Sequence, residues 1–135
     1  MIIPSQVKNL FERQSLVAFG TASKDGNPNV VPIFWKKILN GETILLVDNF
    51  MKMSKTNLLE NSKVCISLWD SKTGEAYKIK GIAKYHTEGP IYEEGKRLIQ
   101  SKEPQRVPKG VVEIKVTEIY TIKPGPEAGK KLNIK

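Results

Sequence analysis

Two short turns limit most strongly what this chain can fold into. Lys24-Asp-Gly-Asn27 and Asn40-Gly41 each separate two apolar runs. Asp-Gly and Asn-Gly are the pairs that tight hairpin turns accept, because both central positions need positive φ. Strands are therefore predicted over 16–23, 28–39 and 42–48, consecutive and antiparallel. Pro32 falls inside the second and removes a ladder donor, so that strand is an edge there or breaks its pairing.

The rest of the chain continues in the same style. Val64, Ile66 and Leu68 alternate with Cys65, Ser67 and Trp69 over 63–70, which predicts a half-buried strand. A long strand follows over 76–87, with Tyr77, Ile79, Gly81 and Ala83 on one face and mostly Lys on the other. Gly81 within it marks a bulge or a close backbone approach. The last strand spans 110–123. Three helices interrupt the strands. One runs from Ser5, read as its N-cap, to Gln14, with Val7, Leu10 and Phe11 on one face. A second covers 52–61, with Ser54 or Thr56 as its cap. A third starts at Pro90, where the missing N–H does no harm; Gly95 in its interior makes it depend on packing. The expectation is a mainly β fold: a six-stranded antiparallel barrel with short helical inserts.

The 135 residues fit one domain. A chain of this size buries roughly 65–70% of its unfolded surface and needs no staple. Its one cysteine cannot form an internal disulfide, and no Cys/His cluster marks a zinc site. The expected setting is reducing and cytoplasmic. No apolar run approaches a membrane span, and Met1-Ile-Ile-Pro-Ser lacks the pattern of a signal peptide. The net charge of +8 favours an anionic partner, which leaves nucleic acid, anionic lipid and phosphorylated small molecules open.

Conventional catalytic signatures are missing. His86 has no triad partner in sequence, Cys65 reads as a small core residue, and adjacent Glu93 and Glu94 point in different directions on a helix. There is no glycine-rich nucleotide motif. Two segments carry more information. Lys52-Met-Ser-Lys-Thr-Asn57 follows a strand and opens a helix. Two lysines, two hydroxyls and free backbone N–H groups at the positive end of the dipole suit a phosphate dianion. Asn29-Val-Val-Pro-Ile-Phe-Trp35 offers broken strand pairing with apolar flanks, suited to a planar heterocycle. A competing class is a basic barrel that binds nucleic acid, with Lys78, Lys80 and Lys84 on one strand face. Tyr77 and Tyr85 have the opposite parity, so the stacking rings such a surface needs are not interleaved with the charge.

These segments occur in a known order. The chain resembles the FMN-binding split-barrel proteins related to pyridoxamine 5′-phosphate oxidase, above all the small single-domain members. The resemblance rests on Leu16-Val-Ala-Phe-Gly-Thr-Ala with Asp25-Gly-Asn-Pro-Asn-Val-Val-Pro32, on Ser54-Lys-Thr-Asn-Leu-Leu-Glu-Asn-Ser-Lys-Val64, and on Tyr77-Lys-Ile-Lys-Gly-Ile-Ala83 with Glu88-Gly-Pro90. It implies a split barrel over residues 1–123 and a tail over 124–135 that reaches a partner subunit, with Pro124, Gly125 and Pro126 near the partner's flavin. It implies a homodimer with FMN at the interface. The phosphate would lie at Ser54, Lys55 and Thr56, beside Met53 and with Lys52 as an extra charge. Val30, Val31, Pro32, Ile33 and Phe34 would lie along the flavin ring, and Val47, Asp48 and Asn49 on its other side. The implied activity is FMN-dependent redox chemistry, as an oxidoreductase or as a non-catalytic electron carrier, with NAD(P)H or a deazaflavin as donor. The Arg- and His-bearing C-terminal motif of the true oxidases is absent, so that activity is not expected.

Overall fold

Both turns form hairpins in the computed structural model, which describes residues 2–134. β1 (Val17–Ala22) pairs with β2 (Pro28–Ile33) across Gly26, and β3 (Lys36–Ile38) pairs with β4 (Thr43–Asp48) across Gly41. Both glycines have positive φ, but Asp25 and Asn40 do not, so neither connection is the two-residue turn with two positive-φ positions that the pairs suggest. After the helix α2 (Met53–Glu60) come β5 (Lys63–Trp69), β6 (Ala76–His86) and, beyond the helix α3 (Pro90–Gln100), β7 (Gly110–Thr121). The helix α1 (Ser5–Arg13) precedes them all.

The strands form one antiparallel sheet in the order β2-β1-β5-β6-β7-β4-β3. β2 and β3 are therefore opposite edges, yet only Phe34 and Trp35 lie between them. Three Cα–Cα steps span at most about 11 Å. The edges of a flat seven-stranded sheet would be about 29 Å apart. The sheet must curl until its edges nearly meet, and the architecture is a split barrel. The predicted single strand over 28–39 is thus two strands, and the described residues hold seven strands rather than six. The cause is non-local: the chain leaves one edge and rejoins the sheet at the other. Pro32 sits on edge strand β2, opposite Ala18, where its missing N–H interrupts no further ladder.

The inner face of the barrel carries the core. Phe19, Ile66, Ile79, Ile114 and Ile119 pack there with Val7, Leu10 and Phe11 from α1. β4 is buried along its whole length. Its inner face meets this core, while Leu45 on its other face packs with Val111 and Tyr92 of α3. Gly95 explains the approach of α3, since a Cβ there would collide with the Val111 side chain. The expected irregularity at Gly81 is present as a register shift between Lys80 and Gly81. A Cβ at Gly81 would lie 2.6 Å from both Ile114 Cγ2 and the Lys115 carbonyl oxygen.

Two helix starts differ from expectation. Ser5 is the first helical residue of α1 and Pro4 takes the cap position; α2 starts after Lys52, with no side-chain cap. At the far end of α1, Lys36 Nζ donates to the Phe11 carbonyl at 2.8 Å and lies 4.8 Å from the Phe11 ring centroid. Burial there lowers its pKa. The segment beyond β7 turns back on that strand. Leu132 N–H donates to the Ile119 carbonyl at 2.7 Å and Ile134 joins the core, while the turn over 124–129 stays exposed.

Arg13 ties α1 to the β5–β6 hairpin. Its guanidinium lies 2.8 Å from Glu75 and 3.4 Å from Asp70. Tyr77 donates to Glu75, and burial with that contact pushes its phenol up to about 12. Glu75 is held below its ordinary pKa chiefly by Arg13, and Asp70 chiefly by the Lys72 backbone N–H with Arg13 assisting. Both carboxyls bind protons more readily unfolded than folded. Their contribution is complete above the ordinary carboxylate range and is lost as pH falls through the folded values. Arg13→Ala should therefore flatten the acid limb of stability, so that the thermal midpoint falls less steeply than in the wild type between about pH 5 and pH 2. Gly81→Ala should destabilise by about 1–3 kcal/mol at any pH, because backbone must move to admit the methyl; thermal unfolding measures both.

Candidate functional site

The closure at Phe34–Trp35 leaves a cleft where β2 ends. It measures roughly 370 Å³ and is walled by Val31–Trp35 on one side and by Val47, Asn49, Phe50 and Met51 on the other. Arg106 and Glu103, from the loop between α3 and β7, complete it. Phe34 and Trp35 meet edge to face, with ring centroids 5.0 Å apart. The walls are mostly apolar, and the volume lies in the range of small-molecule sites. One polar atom stands out. Asn49 Oδ1 is buried and has no hydrogen-bond partner, so it is an acceptor aimed at nothing within the chain.

The α2 start follows the cleft directly in sequence, two residues beyond Met51. Its first turn contains no acidic residue and no side chain caps it. Lys52 and Lys55 both stand there, and neither has a carboxylate partner among the described ion pairs. Lys109 adds a third cation, with Nζ 3.3 Å from the Met51 carbonyl. Uncapped N–H groups, the positive dipole end and unpaired lysines make a local field that favours an anion.

Polar contacts fasten α2 to the barrel. Buried Ser54 accepts from Asn29 Nδ2 at 3.2 Å, and Asn57 Nδ2 donates to Thr21 at 3.0 Å. Thr56 donates to the Lys52 carbonyl within the helix at 3.2 Å. Asp48 is fully buried at the end of β4. Its Oδ1 accepts from Met51 N–H at 2.7 Å, and its Oδ2 accepts a short hydrogen bond from Tyr85. Burial and Asp48 together raise the Tyr85 pKa. Lys55 Nζ lies 5.3 Å from the Tyr85 ring centroid.

The structure thus gathers Val31, Pro32, Ile33, Phe34, Val47 and Asn49 around one cleft, and Lys52, Met53, Ser54, Lys55 and Thr56 at the adjoining helix start. Val30 faces the other way. It lines a trough of about 580 Å³ on the outer face of the sheet with Gly20, Cys65, Lys63, Lys80 and Ile82. Asp48 holds the loop instead of facing the cleft. Trp35 already closes the segment singled out in the sequence, and Phe50 and Met51 could have been found by extending the segment over 47–49 by two residues. Tyr85, Arg106 and Lys109 could not, since only the fold brings them near.

Other reactive side chains are engaged elsewhere. His86 pairs with Glu113 at 2.8 Å, and Glu94 pairs with Lys37 and Arg97. Burial pushes the Cys65 thiol up. The described residues contain no group of three or more potential metal ligands, and no described helix is long and apolar enough to cross a membrane. On the outer face, Tyr120 of β7 lies beneath Lys78 and Lys80, at 4.8 and 5.6 Å. An aromatic does therefore stand among these lysines, supplied by the neighbouring strand. It is a single ring and not a succession of stacking platforms.

A curled antiparallel barrel with an apolar cleft beside a cationic helix start defines the class. The family model for pyridoxamine 5′-phosphate oxidase matches residues 3–123. An uncharacterized protein of Methanocaldococcus jannaschii is 41% identical over 126 residues, covering 92% of this chain and 83% of that protein. HupZ of Group A Streptococcus superposes with a TM-score of 0.84 at 29% identity, over 95% of this chain and 100% of that one. An FMN-binding protein of Syntrophomonas wolfei shares the fold with a TM-score of 0.71 at 12% identity, over 84% and 80% of the two chains. The chain belongs to the pyridoxamine 5′-phosphate oxidase family.

Asp48→Ala should leave both the Met51 N–H and the Tyr85 hydroxyl without their acceptor. The expected loss is about 1–3 kcal/mol for each group left buried. Thermal unfolding measures the total, and hydrogen exchange at the Met51 amide should accelerate more than exchange in β5.

Proposed function

We propose that this protein binds FMN and serves as a flavin-dependent redox protein. One observation carries the proposal: Met51 lines the apolar cleft, and two residues further on begins a helix with no acidic residue in its first turn, no side-chain cap, and Lys52 and Lys55 outside every described ion pair. FMN joins an apolar planar ring to a phosphate dianion, and the two halves of the site match those two chemistries. The residues present fit the group. Asn49 Oδ1 is a buried acceptor without a donor, and the flavin ring carries an N–H that can supply one. Val31, Ile33, Phe34 and Val47 would hold the ring. Lys52, Lys55 and the first N–H groups of α2 would hold the phosphate.

Bound FMN supplies hydride or single-electron transfer at its ring. The chain's own part is to bind, orient and shield. The titratable side chains lining the cleft, Glu103 and Arg106, are paired with each other at 2.9 Å. That suits a protein acting through position and charge. Nearby lysines favour an anionic reduced ring. NAD(P)H and deazaflavins are the donor classes proposed. The same pairing also supports a second reading, an electron carrier without turnover.

We propose further that two copies enclose the flavin. Leu16, Val30 and Trp69 are exposed apolar side chains along one groove, and Val31 and Pro32 line both that groove and the cleft. A second copy seated on the groove would cover this surface and close the cleft along β2. The exposed turn over 124–129 is available to reach it. A single cysteine suits a cytoplasmic setting.

The purified protein should be yellow, with flavin absorbance released as FMN on denaturation, and it should sediment as a dimer. A colourless protein that takes up no added FMN overturns the proposal. Rapid NAD(P)H oxidation with a small acceptor would favour the enzyme over the carrier. Lys55→Ala should weaken FMN about tenfold, an effect that shrinks in high salt.

A further inference from the structure

Tyr85 has no place in the site as the sequence describes it, yet it connects the site's parts. It lies on β6 opposite Val112, and a Cβ on Gly110 would strike its ring. The glycine at the start of β7 therefore leaves this ring its space. The hydroxyl donates to Asp48, whose other oxygen holds Met51 N–H in the turn that leads into α2. The face of the ring lies under Lys55 Nζ.

Lys55 needs such support. A lysine is a flexible, strongly hydrated cation, and at the third position of a helix the dipole repels it. No described carboxylate pairs with it. A carboxylate would hold it, but would also neutralise the field an anion needs. An aromatic face attracts an ammonium without cancelling its charge. The ring in turn cannot drift, because its hydroxyl is bound to a fully buried carboxylate.

We propose that Tyr85 is a positioning residue that sets the preference for phosphorylated over unphosphorylated flavin. It does so by holding Lys55 over its ring at the start of α2, and it touches neither ring nor phosphate itself. The inference rests on the FMN reading above and extends it to specificity.

The experiment measures dissociation constants for FMN and riboflavin by flavin fluorescence quenching, on the full-length apoprotein. The proteins are wild type, Tyr85→Phe, Tyr85→Leu, Tyr85→Met, Lys55→Ala and the double variant Lys55→Ala/Tyr85→Leu. Circular dichroism verifies the fold of each, and Tyr85→Met serves if Tyr85→Leu does not fold. Expected is an FMN preference in the wild type that Tyr85→Leu or Tyr85→Met reduces about fivefold, through FMN alone, with riboflavin affinity within about twofold of wild type. Tyr85→Phe keeps the aromatic face and should keep most of the preference. In the Lys55→Ala background, loss of the ring should change nothing further, which is the coupling a double-mutant cycle reads. Equal losses for FMN and riboflavin, or a full FMN preference without the ring, would overturn this inference and leave the FMN reading standing. A wild-type protein that binds neither flavin overturns both.

Discussion

The link of two residues between β2 and β3 is the constraint on which the rest of the molecule depends. Phe34 and Trp35 join strands that occupy opposite edges of the sheet. A link that short forces the sheet to curl, and the curl creates an interior wide enough for one layer of side chains and the flank of α1. It also leaves the seam incomplete. Among the described strands β2 pairs with β1 alone, and the cleft is lined by its C-terminal end. Site and core thus have one origin, and a longer link would relax both together.

The second constraint is electrostatic and lies at α2. α2, like α1, begins with neither a side-chain cap nor an acidic first turn, and it places lysines where its dipole repels them. Taken alone this arrangement is unfavourable. It persists because the helix is fastened from below: Ser54 to Asn29, Asn57 to Thr21, and Leu58 in the core. The contacts that hold α2 are on its buried side, which leaves its start free to serve charge instead of stability. For the proposed phosphate site this amounts to preorganisation, since no described carboxylate would have to leave before a phosphate entered.

Much of the barrel was legible in the sequence, for reasons that are local. Asp25-Gly26 and Asn40-Gly41 dictate turns, and Val64, Ile66 and Leu68 alternate as a half-buried strand must. Pro90 marks the start of α3. What escaped was non-local. Nothing in Phe34-Trp35 resembles a turn, because the break there reflects which sheet edge is vacant. Ser54 and Thr56 look like caps on chemical grounds, but Ser54 is needed inside, facing Asn29, and the helix begins one residue earlier than Ser54. Asp48 has the look of a cleft residue by position along β4. Its carboxylate is taken by Tyr85, thirty-seven positions away in sequence. At the site, the contiguous segments were legible, and the residues that orient them were not.

The excess of positive charge acquires meaning only when the lysines are sorted by what surrounds them. Lys36 closes the end of α1, Lys37 pairs with Glu94, and Lys131 lies 3.3 Å from Glu118. Lys78 and Lys80 rest on Tyr120. These cations have partners within the fold. Lys52 and Lys55 differ in standing at the start of a helix whose dipole opposes them; Lys55 rests on Tyr85, and neither belongs to a described ion pair. A net charge of +8 alone selects no ligand. Two like charges set against a helix dipole, with an apolar cleft and an orphaned acceptor close by in sequence, are what the proposed flavin reading rests on. The information lies in the conflict between the lysines and their helix, and a count of charges cannot register it.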